Sequence, residues 1–147
     1  MSYITLQDLM DELGEEMLVQ LTDDLNSRAI NPAVVAKAID SATGTFDSYA
    51  RTRYTLPVPV TPLVKSICID IAVYSLQRKR ATYKEGVFEV RKTAYDEAIS
   101  KLKDIAAGRA ALDVPASDET IETPASPDKI LTNAAKAKFN DRILSGF

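Results

Sequence analysis

Three pairs of adjacent carboxylates are the side chains of this sequence best suited to acid–base chemistry. The pairs are Glu15-Glu16, Asp23-Asp24 and Asp118-Glu119. Paired carboxyl groups serve catalysis when a nearby base or an apolar pocket tunes them, and these pairs lie in polar segments without either. The 147 residues include no histidine, which excludes Ser-His-Asp and Cys-His sites and the usual zinc sites. We therefore expect no enzymatic activity and no metal ion or other cofactor.

Asp24 and Asn26 stand at alternate positions, as the first ligands of a calcium-binding loop do. The central glycine of such a loop is missing, and the twelfth position counted from Asp24 holds Val35 instead of glutamate. The five glycines of the chain are scattered and form no phosphate-binding loop. We therefore reject a calcium site and a nucleotide-phosphate site.

The segment QRKRATYK contains a short basic run: Arg78, Lys79, Arg80 and Lys84. Basic residues on one surface attract the phosphates of nucleic acids. No recognised nucleic-acid-binding motif flanks this run, and the whole chain has a net charge of −3. We favour a solvated face or a contact between subunits. We keep a small nucleic-acid-binding regulatory protein that uses the 78–84 run as the alternative function.

Charge is unevenly distributed along the chain. Residues 1–31 contain seven acidic residues and one basic residue, whereas residues 75–103 contain eight basic and four acidic ones. Residues 111–128 contain five acidic residues and no basic one, and residues 129–147 contain four basic and one acidic. Solvated helix faces would produce such zones. Head-to-tail contact between copies would also produce them, because surfaces of opposite charge favour complementary docking.

Two short helices are predicted near the N-terminus. Thr5 and Asp8 have the spacing of a capping box, which opens the first helix, and Gly14 ends it. Residues 15–21 form the second helix, and the turn-forming residues of 22–31 form a loop.

Three long helices are predicted to follow. Asn31-Pro32 and Thr61-Pro62 each place a capping residue before a proline at the first helical position, and apolar spacing extends these helices over 32–53 and 62–80. The third spans 87–107. Its apolar stripe and its capping glycine are Val87, Val90, Ala94, Ala98, Leu102, Ile105 and Gly108. We therefore predict an all-α fold, a small helical bundle of three long and one or two short helices with an extended C-terminal arm.

Asp70 is a charged residue inside the apolar run of the 62–80 helix. A carboxylate buried without a partner is costly, so Asp70 requires an opposite charge. The stretch YARTRYTLPVPVTP at 49–62 joins this helix to the preceding one, and its prolines predict a rigid, extended crossing. If the two helices pack antiparallel, Arg53 or Arg51 becomes the partner. We predict a structural ion pair of Asp70 with one of these arginines.

Residues 109–147 differ from the bundle in composition. Residues 113–128 are acidic and contain prolines, as flexible linkers do. The chain then reaches FNDRILSGF, which has the composition of a docking peptide, since soluble proteins cover an exposed apolar tip. Its anchors are Phe139, Ile143, Leu144 and Phe147, with Arg142 as a polar clamp. We favour docking on another chain over folding back, and predict a helical domain at 1–108 and a linker with docking arm at 109–147.

No run of residues approaches the roughly 20 apolar positions that a membrane-spanning helix needs. The N-terminal MSYITLQDLMDELGEE is acidic and lacks the basic start and apolar core of a signal peptide. We expect synthesis in the cytoplasm and no membrane partner.

Three segments carry a family pattern: TLQDLMDELGEEMLVQLTD, VVAKAIDSATGTFDSYARTRYTLP and PLVKSICIDIAVYSL. They comprise an opening helix that ends in Gly-Glu-Glu, a Leu-Thr-Asp turn, a Tyr-x-x-x-Arg-Tyr-x-Leu-Pro element from Tyr49, and a Cys-x-Asp-Ile-Ala helix from Cys68. Together they resemble the phage Mu-like head–tail connector (neck adaptor) family. The resemblance covers residues 3–108, and the terminal Phe139–Phe147 segment is similar to an ending found in some members.

The resemblance implies a structural, non-enzymatic part of the virion. Connectors of this kind form a homo-oligomeric ring of about twelve copies beneath the portal vertex. The implied partners are the portal protein, neighbouring copies, a downstream neck or tail component, and genomic DNA that passes through the channel. The implied location is the virion neck, at the head–tail interface, after synthesis in the cytoplasm of a bacterial host. The C-terminal arm is implied to reach the portal or an adjacent subunit.

Overall fold

The computed structural model of the chain describes residues 1–80 and 85–114. Within these ranges every regular element is an α-helix, which confirms the predicted all-α helical bundle. The residues belong to one packed unit, Met1–Pro115. The helices are α1 (Leu6–Leu13), α2 (Glu15–Thr22), α3 (Pro32–Ala50), α4 (Pro62–Lys79) and α5 (Glu85–Ala106).

Side-chain caps start the helices where the sequence predicts them. Thr5 and Asp8 form the capping box: the Thr5 hydroxyl accepts a hydrogen bond from the Asp8 amide at 3.3 Å, and the Asp8 carboxylate accepts one from the Thr5 amide at 2.8 Å. The Asn31 side chain accepts from the Ala33 amide at 3.1 Å, and the Thr61 hydroxyl caps α4 in the same way. Each cap satisfies a backbone donor that a helix start leaves without an intrahelical partner.

Helix α4 is the centre of the fold because its neighbours cover most of its surface. Helices α3 and α5 make the most extensive contacts with it, and α1 and α2 complete the cover. Burying one large apolar side chain contributes roughly 1.5–3 kcal/mol, so this helix organises the core. Burial also raises the pKa of the Cys68 thiol to about 12. The buried residues of α4 are Val64, Ile67, Cys68, Ile71, Ala72, Val73, Leu76 and Gln77.

A joint over residues 51–61 turns the chain back between α3 and α4, so that the two helices pack antiparallel. Helix α3 ends at Ala50, three residues earlier than predicted. The Arg53 and Tyr54 amides both donate to the Ala50 carbonyl, at 3.0 and 2.9 Å, and this turn ends the regular helical ladder. Val58 then points inward and is buried.

Helix α5 ends at the glycine that the sequence predicts as its cap. The Gly108 amide donates to the Ile105 carbonyl at 3.1 Å, and the Arg109 amide donates to the Asp104 carbonyl at 2.8 Å. These are the two hydrogen bonds of a Schellman motif. Gly108 has φ +76°, in the left-handed region where a side chain is strained, and a Cβ there would also collide with the Arg53 guanidinium.

Leu112 ties the end of the described chain to the joint. It is buried, and its amide donates to the Tyr54 hydroxyl at 2.9 Å. The end of α5 therefore lies beside the joint. Because α4 and α5 are antiparallel, the start of α5 lies at the opposite end of the bundle, near Lys79.

Replacing Gly108 by alanine is expected to lower the free energy of unfolding by about 1–2 kcal/mol, because alanine is strained at a left-handed φ. Gly44 is the matched control. It lies inside α3, is exposed, and has no atom within 4 Å of the place its Cβ would take. Gly44→Ala is expected to raise the free energy of unfolding by about 0.5–1 kcal/mol. Urea unfolding measures both, and a change of the same sign in the two variants would contradict the assignment.

Candidate functional site

Three ion pairs join the acidic N-terminal helices to the central part of the bundle. They are Lys65–Asp8 at 2.8 Å, Arg91–Glu12 at 2.9 Å and Arg80–Asp24 at 3.3 Å. Exposed pairs of this kind contribute only about 0.2–1 kcal/mol each. Their placement matters more, since two of them connect the acidic zone 1–31 with the basic zone 75–103. Part of the charge contrast seen in the sequence is therefore neutralised inside one chain.

Asp8 takes part in both a cap and an ion pair. One carboxylate oxygen accepts from Thr5, and the other accepts from the Lys65 ammonium group at 2.8 Å. The hydrogen bond from Lys65, followed by those from Thr5, lowers the pKa of Asp8. Its contribution to stability is present above the ordinary carboxyl pKa and is lost as the pH falls through the lowered value.

Asp23 holds the loop between α2 and α3. Its carboxylate accepts hydrogen bonds from the Leu25 amide, the Ser27 amide and hydroxyl, and the Arg28 amide, at 2.7–3.2 Å. The Ser27 amide is the main cause of the lowered pKa of Asp23. The guanidinium of Arg80, the residue that follows α4, donates to the Asp23 carbonyl. Asp23 and Asp24 thus both make contacts within the chain, Asp23 to the loop amides and Asp24 to Arg80.

The basic run that suggested nucleic-acid binding is divided in the structure. Arg80 is bound to Asp24 and to the Asp23 backbone, whereas Arg78 and Lys79 are exposed in the last turn of α4. Lys84 lies outside the described residues. Within the described part of the run, two exposed bases are left that could contact a nucleic acid.

Asp70 is not brought together with Arg51 or Arg53. The Arg51 Nε donates to the Asp47 carbonyl at 3.2 Å, and the Arg53 guanidinium lies against Gly108. Asp70 lies eight residues after the start of α4, about 12 Å along the helix from the joint that carries both arginines. The two helices pack antiparallel, which was the condition for the predicted pair, but the axial separation keeps the predicted partners apart.

The surroundings of Asp70 come from α1 and α5 instead. Burial is the main cause of its raised pKa, and the neighbouring Glu12 adds to the effect. Lys101 and Arg91 act in the opposite direction, and Glu97 raises the pKa further. Among the described residues Asp70 has no ion pair, so its charge is partly desolvated without a direct partner.

Tyr3 fastens the N-terminus to the joint. Its hydroxyl donates to the Asp47 carboxylate at 2.6 Å and accepts from the Val58 amide at 3.3 Å. Its ring packs edge-on against Phe46, with ring centres 4.9 Å apart. Burial, with the hydrogen bond to Asp47 as the next cause, raises the pKa of Tyr3 to about 12. Sequence reasoning missed this anchor, because no spacing pattern links residue 3 to residue 58.

An apolar groove of about 240 Å³ lies beside this anchor. The groove opens to the surface where the first residues of the chain meet the proline segment. Val60 on its rim is exposed. The lining residues are Met1, Ser2, Tyr3, Pro57, Val58, Pro59 and Val60.

The predicted apolar stripe of α5 is buried over half of its length. Ala98, Leu102 and Ile105 are fully buried, whereas Val87 and Val90 are 45% and 67% exposed. The aromatic residues of this first half pack sideways, with Tyr95 stacked on Tyr74 at 4.3 Å and Phe88 at 5.8 Å from the same ring. We call Val87 and Val90 the valine face. Within the described part of the chain it is left uncovered.

Comparison with known proteins identifies the family. Residues 3–129 match the family described as Bacteriophage Mu, Gp36. The chain belongs to this family. A relative, the Mu-like prophage FluMu protein gp36 of Haemophilus influenzae (strain ATCC 51907 / DSM 11121 / KW20 / Rd), is 30% identical over 119 residues, which is 80% of each chain. The predicted relation to Mu-like phage proteins is confirmed at this level.

The Gp36 family match extends further along the chain than the resemblance read from the sequence. It continues past residue 108 to residue 129. The predicted docking arm lies beyond it and outside the described residues, so its role stays a prediction: Phe139, Arg142, Ile143, Leu144 and Phe147.

Two further properties of this Gp36 family member concern the described residues only. Over 1–80 and 85–114, no group of three or more Cys, Asp or Glu side chains is placed to hold a metal ion. No helix in those ranges is long and apolar enough to cross a membrane.

The surroundings of Asp70 lead to two expected results. In a double-mutant cycle, the losses caused by Asp70→Ala and Arg53→Ala should add to within about 0.5 kcal/mol, because separated residues do not couple.

Asp70→Asn should raise the free energy of unfolding at pH 7, because a raised pKa means that folding disfavours the charged form. That gain should shrink as the pH falls through the raised pKa towards 3.8. Urea unfolding across this pH range measures both, and a gain that grows on acidification would refute the explanation.

Removing the Tyr3 hydroxyl is expected to cost about 1–3 kcal/mol of unfolding free energy, since Tyr3→Phe leaves the Asp47 carboxylate and the Val58 amide without that partner. Tyr49→Phe is the control. Its hydroxyl makes no hydrogen bond to the described residues, and the change should stay within about 0.5 kcal/mol. Thermal and urea unfolding measure both variants, and equal losses would show that the anchor is unimportant.

Proposed function

We propose that this protein is a structural component of the phage neck, a head–tail connector. Copies form a ring on the portal protein and join the DNA-filled head to the next neck or tail component, with genomic DNA passing through the channel. The role is non-enzymatic and its place is the virion. The observation that carries the proposal is membership of the bacteriophage Mu Gp36 family over residues 3–129.

The geometry of the bundle supports a role in assembly. The joint carries an open apolar groove, and the start of α5 carries the exposed valine face. Exposed apolar surface on a small protein is typical of a site that another protein covers. The predicted docking arm adds Phe139, Phe147 and Arg142 as further contact residues, for the portal or an adjacent subunit.

The nucleic-acid-binding alternative has less support. Of its four basic residues, Arg80 is engaged with Asp23 and Asp24 inside the chain. Arg78 and Lys79 are left as two exposed charges, and each phosphate contact contributes only a share of non-specific affinity. We therefore do not propose this function.

Complementation in vitro tests the proposal. A phage that cannot make this protein is expected to accumulate heads and unattached tails, and adding the purified full chain should restore joined, infectious particles. Normal particles in its absence, or no restoration by the added chain, would overturn the connector function.

The same assay tests the docking arm with matched variants. Phe139→Ala combined with Phe147→Ala is expected to lower restoration by about tenfold or more, because buried aromatic anchors dominate interface affinity. Lys136→Ala combined with Lys138→Ala changes the same segment but keeps the anchors, and should restore normally. If the phenylalanine variant restores as well as the lysine variant, the arm assignment fails while the connector function stands.

A further inference from the structure

Some acidic residues of the zone 1–31 are exposed and form no ion pair with the described part of the chain. Three exposed acids at the corner between α1 and α2 take part in no ion pair with described residues, and we call them the acidic corner: Asp11, Glu15 and Glu16. Asp11 accepts one hydrogen bond from the exposed Gln7 side chain. The other acids of this zone are held by Lys65, Arg91, Arg80 and the loop amides.

An open groove lies at the acidic corner. Its volume is about 480 Å³. Leu13 and Met17 contribute half-buried apolar surface, and Glu15 and Glu16 contribute charge. The groove is lined by Leu13, Gly14, Glu15, Glu16, Met17 and Gln20. This surface therefore combines apolar contact area with negative charge.

The basic zone 75–103 also has exposed basic residues that form no ion pair with the described part of the chain, and these carry positive charge. Arg78 and Lys79 are exposed at the end of α4 and take part in no ion pair with described residues. The valine face lies at the same end of the bundle, in the first turns of α5. We call Arg78, Lys79, Val87 and Val90 together the basic end. Arg78 and Lys79 supply positive charge there, and Val87 and Val90 supply exposed apolar surface, with the exposed Glu89 between the two valines.

The charges of Arg78 and Lys79 are separated from Glu15 by the length of α2, although the Arg91–Glu12 ion pair brings the first half of α5 next to the acidic corner. Helix α2 has eight residues and is about 12 Å long. Glu15 stands at its start, whereas Asp23, just past its end, is the residue that Arg80 reaches. This length exceeds the Debye length of about 8 Å at physiological ionic strength. The complementary charges are left available to another molecule.

We infer that the acidic corner of one copy binds the basic end of a second copy of this chain. Charge complementarity sets the orientation and the groove receives apolar surface from the valine face. Because the two surfaces differ, the contact is head-to-tail; such contacts form a closed ring where the rotation between copies permits closure and an open filament otherwise. The inference rests on the proposed function in one respect, namely that copies of the chain assemble.

Cross-linking and charge reversal of the full chain test this contact. A zero-length carbodiimide reagent, applied to a mixture of isotopically light and heavy chains, should join Lys79 of one copy to Glu15 or Glu16 of another. Glu15→Lys with Glu16→Lys, and separately Arg78→Glu with Lys79→Glu, should each lower the oligomer fraction measured by sedimentation, without cross-linker, by about tenfold or more. Mixing the two variants should restore it, because each reversed surface then meets its complement.

Lys37→Glu with Asp40→Lys is the matched control, since both residues are exposed on α3 and belong to neither surface. It should assemble like the wild type. Recovery on mixing also separates interface loss from misfolding, because a misfolded chain would not be rescued by its counterpart. Absence of the Lys79 cross-link in the wild type at its highest soluble concentration would overturn the inference. So would unchanged assembly of both charge-reversed variants.

The two proposals fail in different ways. If the chain restores head–tail joining and both charge-reversed variants restore it equally, the contact inferred here is wrong and the connector function stands. If chains cross-link as expected but never restore joining, the contact is right and the connector function is wrong.

Discussion

The burial of most of α4 against several helices is the constraint on which the rest of the structure depends. An amphipathic helix needs one covering surface, whereas a helix that is apolar around its whole circumference needs several. The chain meets this need with α3, α5 and the α1–α2 pair, all of which contact α4. The polar faces that remain form the outer surface, so the positions of charged groups follow from how α4 is covered.

The capping residues and helix order could be predicted from the sequence because both depend on local chemistry. Thr5, Asn31 and Thr61 act on amides two or three residues away, and Gly108 acts within one turn. Such interactions are encoded by spacing alone. The end of α3 was misplaced by three residues, because the turn after Ala50 places two amides on one carbonyl and no sequence signal marks that choice.

Partners distant in sequence could not be predicted in the same way. To predict the partner of Asp70, one has to know the position of each residue along the helix axes. That position depends on where α3 ends and on the path of the joint. Tyr3 reaches Val58 across 55 positions, and Arg91 reaches Glu12 across 79. The apolar stripe of α5 was correctly located, but its spacing carries no information on how far the neighbouring helices extend along it. The exposure of Val87 and Val90 is therefore a tertiary property.

The single thiol of the chain has a consequence for how it can be studied. Cys68 is buried within α4, and its pKa of about 12 means that almost no reactive thiolate forms near neutral pH. The Cys68 thiol of the folded chain therefore does not react readily with thiol reagents or exchange disulfides between copies. A cysteine introduced at an exposed position would be the one labelled group, and a fluorophore or spin label placed there would report distances between copies without removal of Cys68.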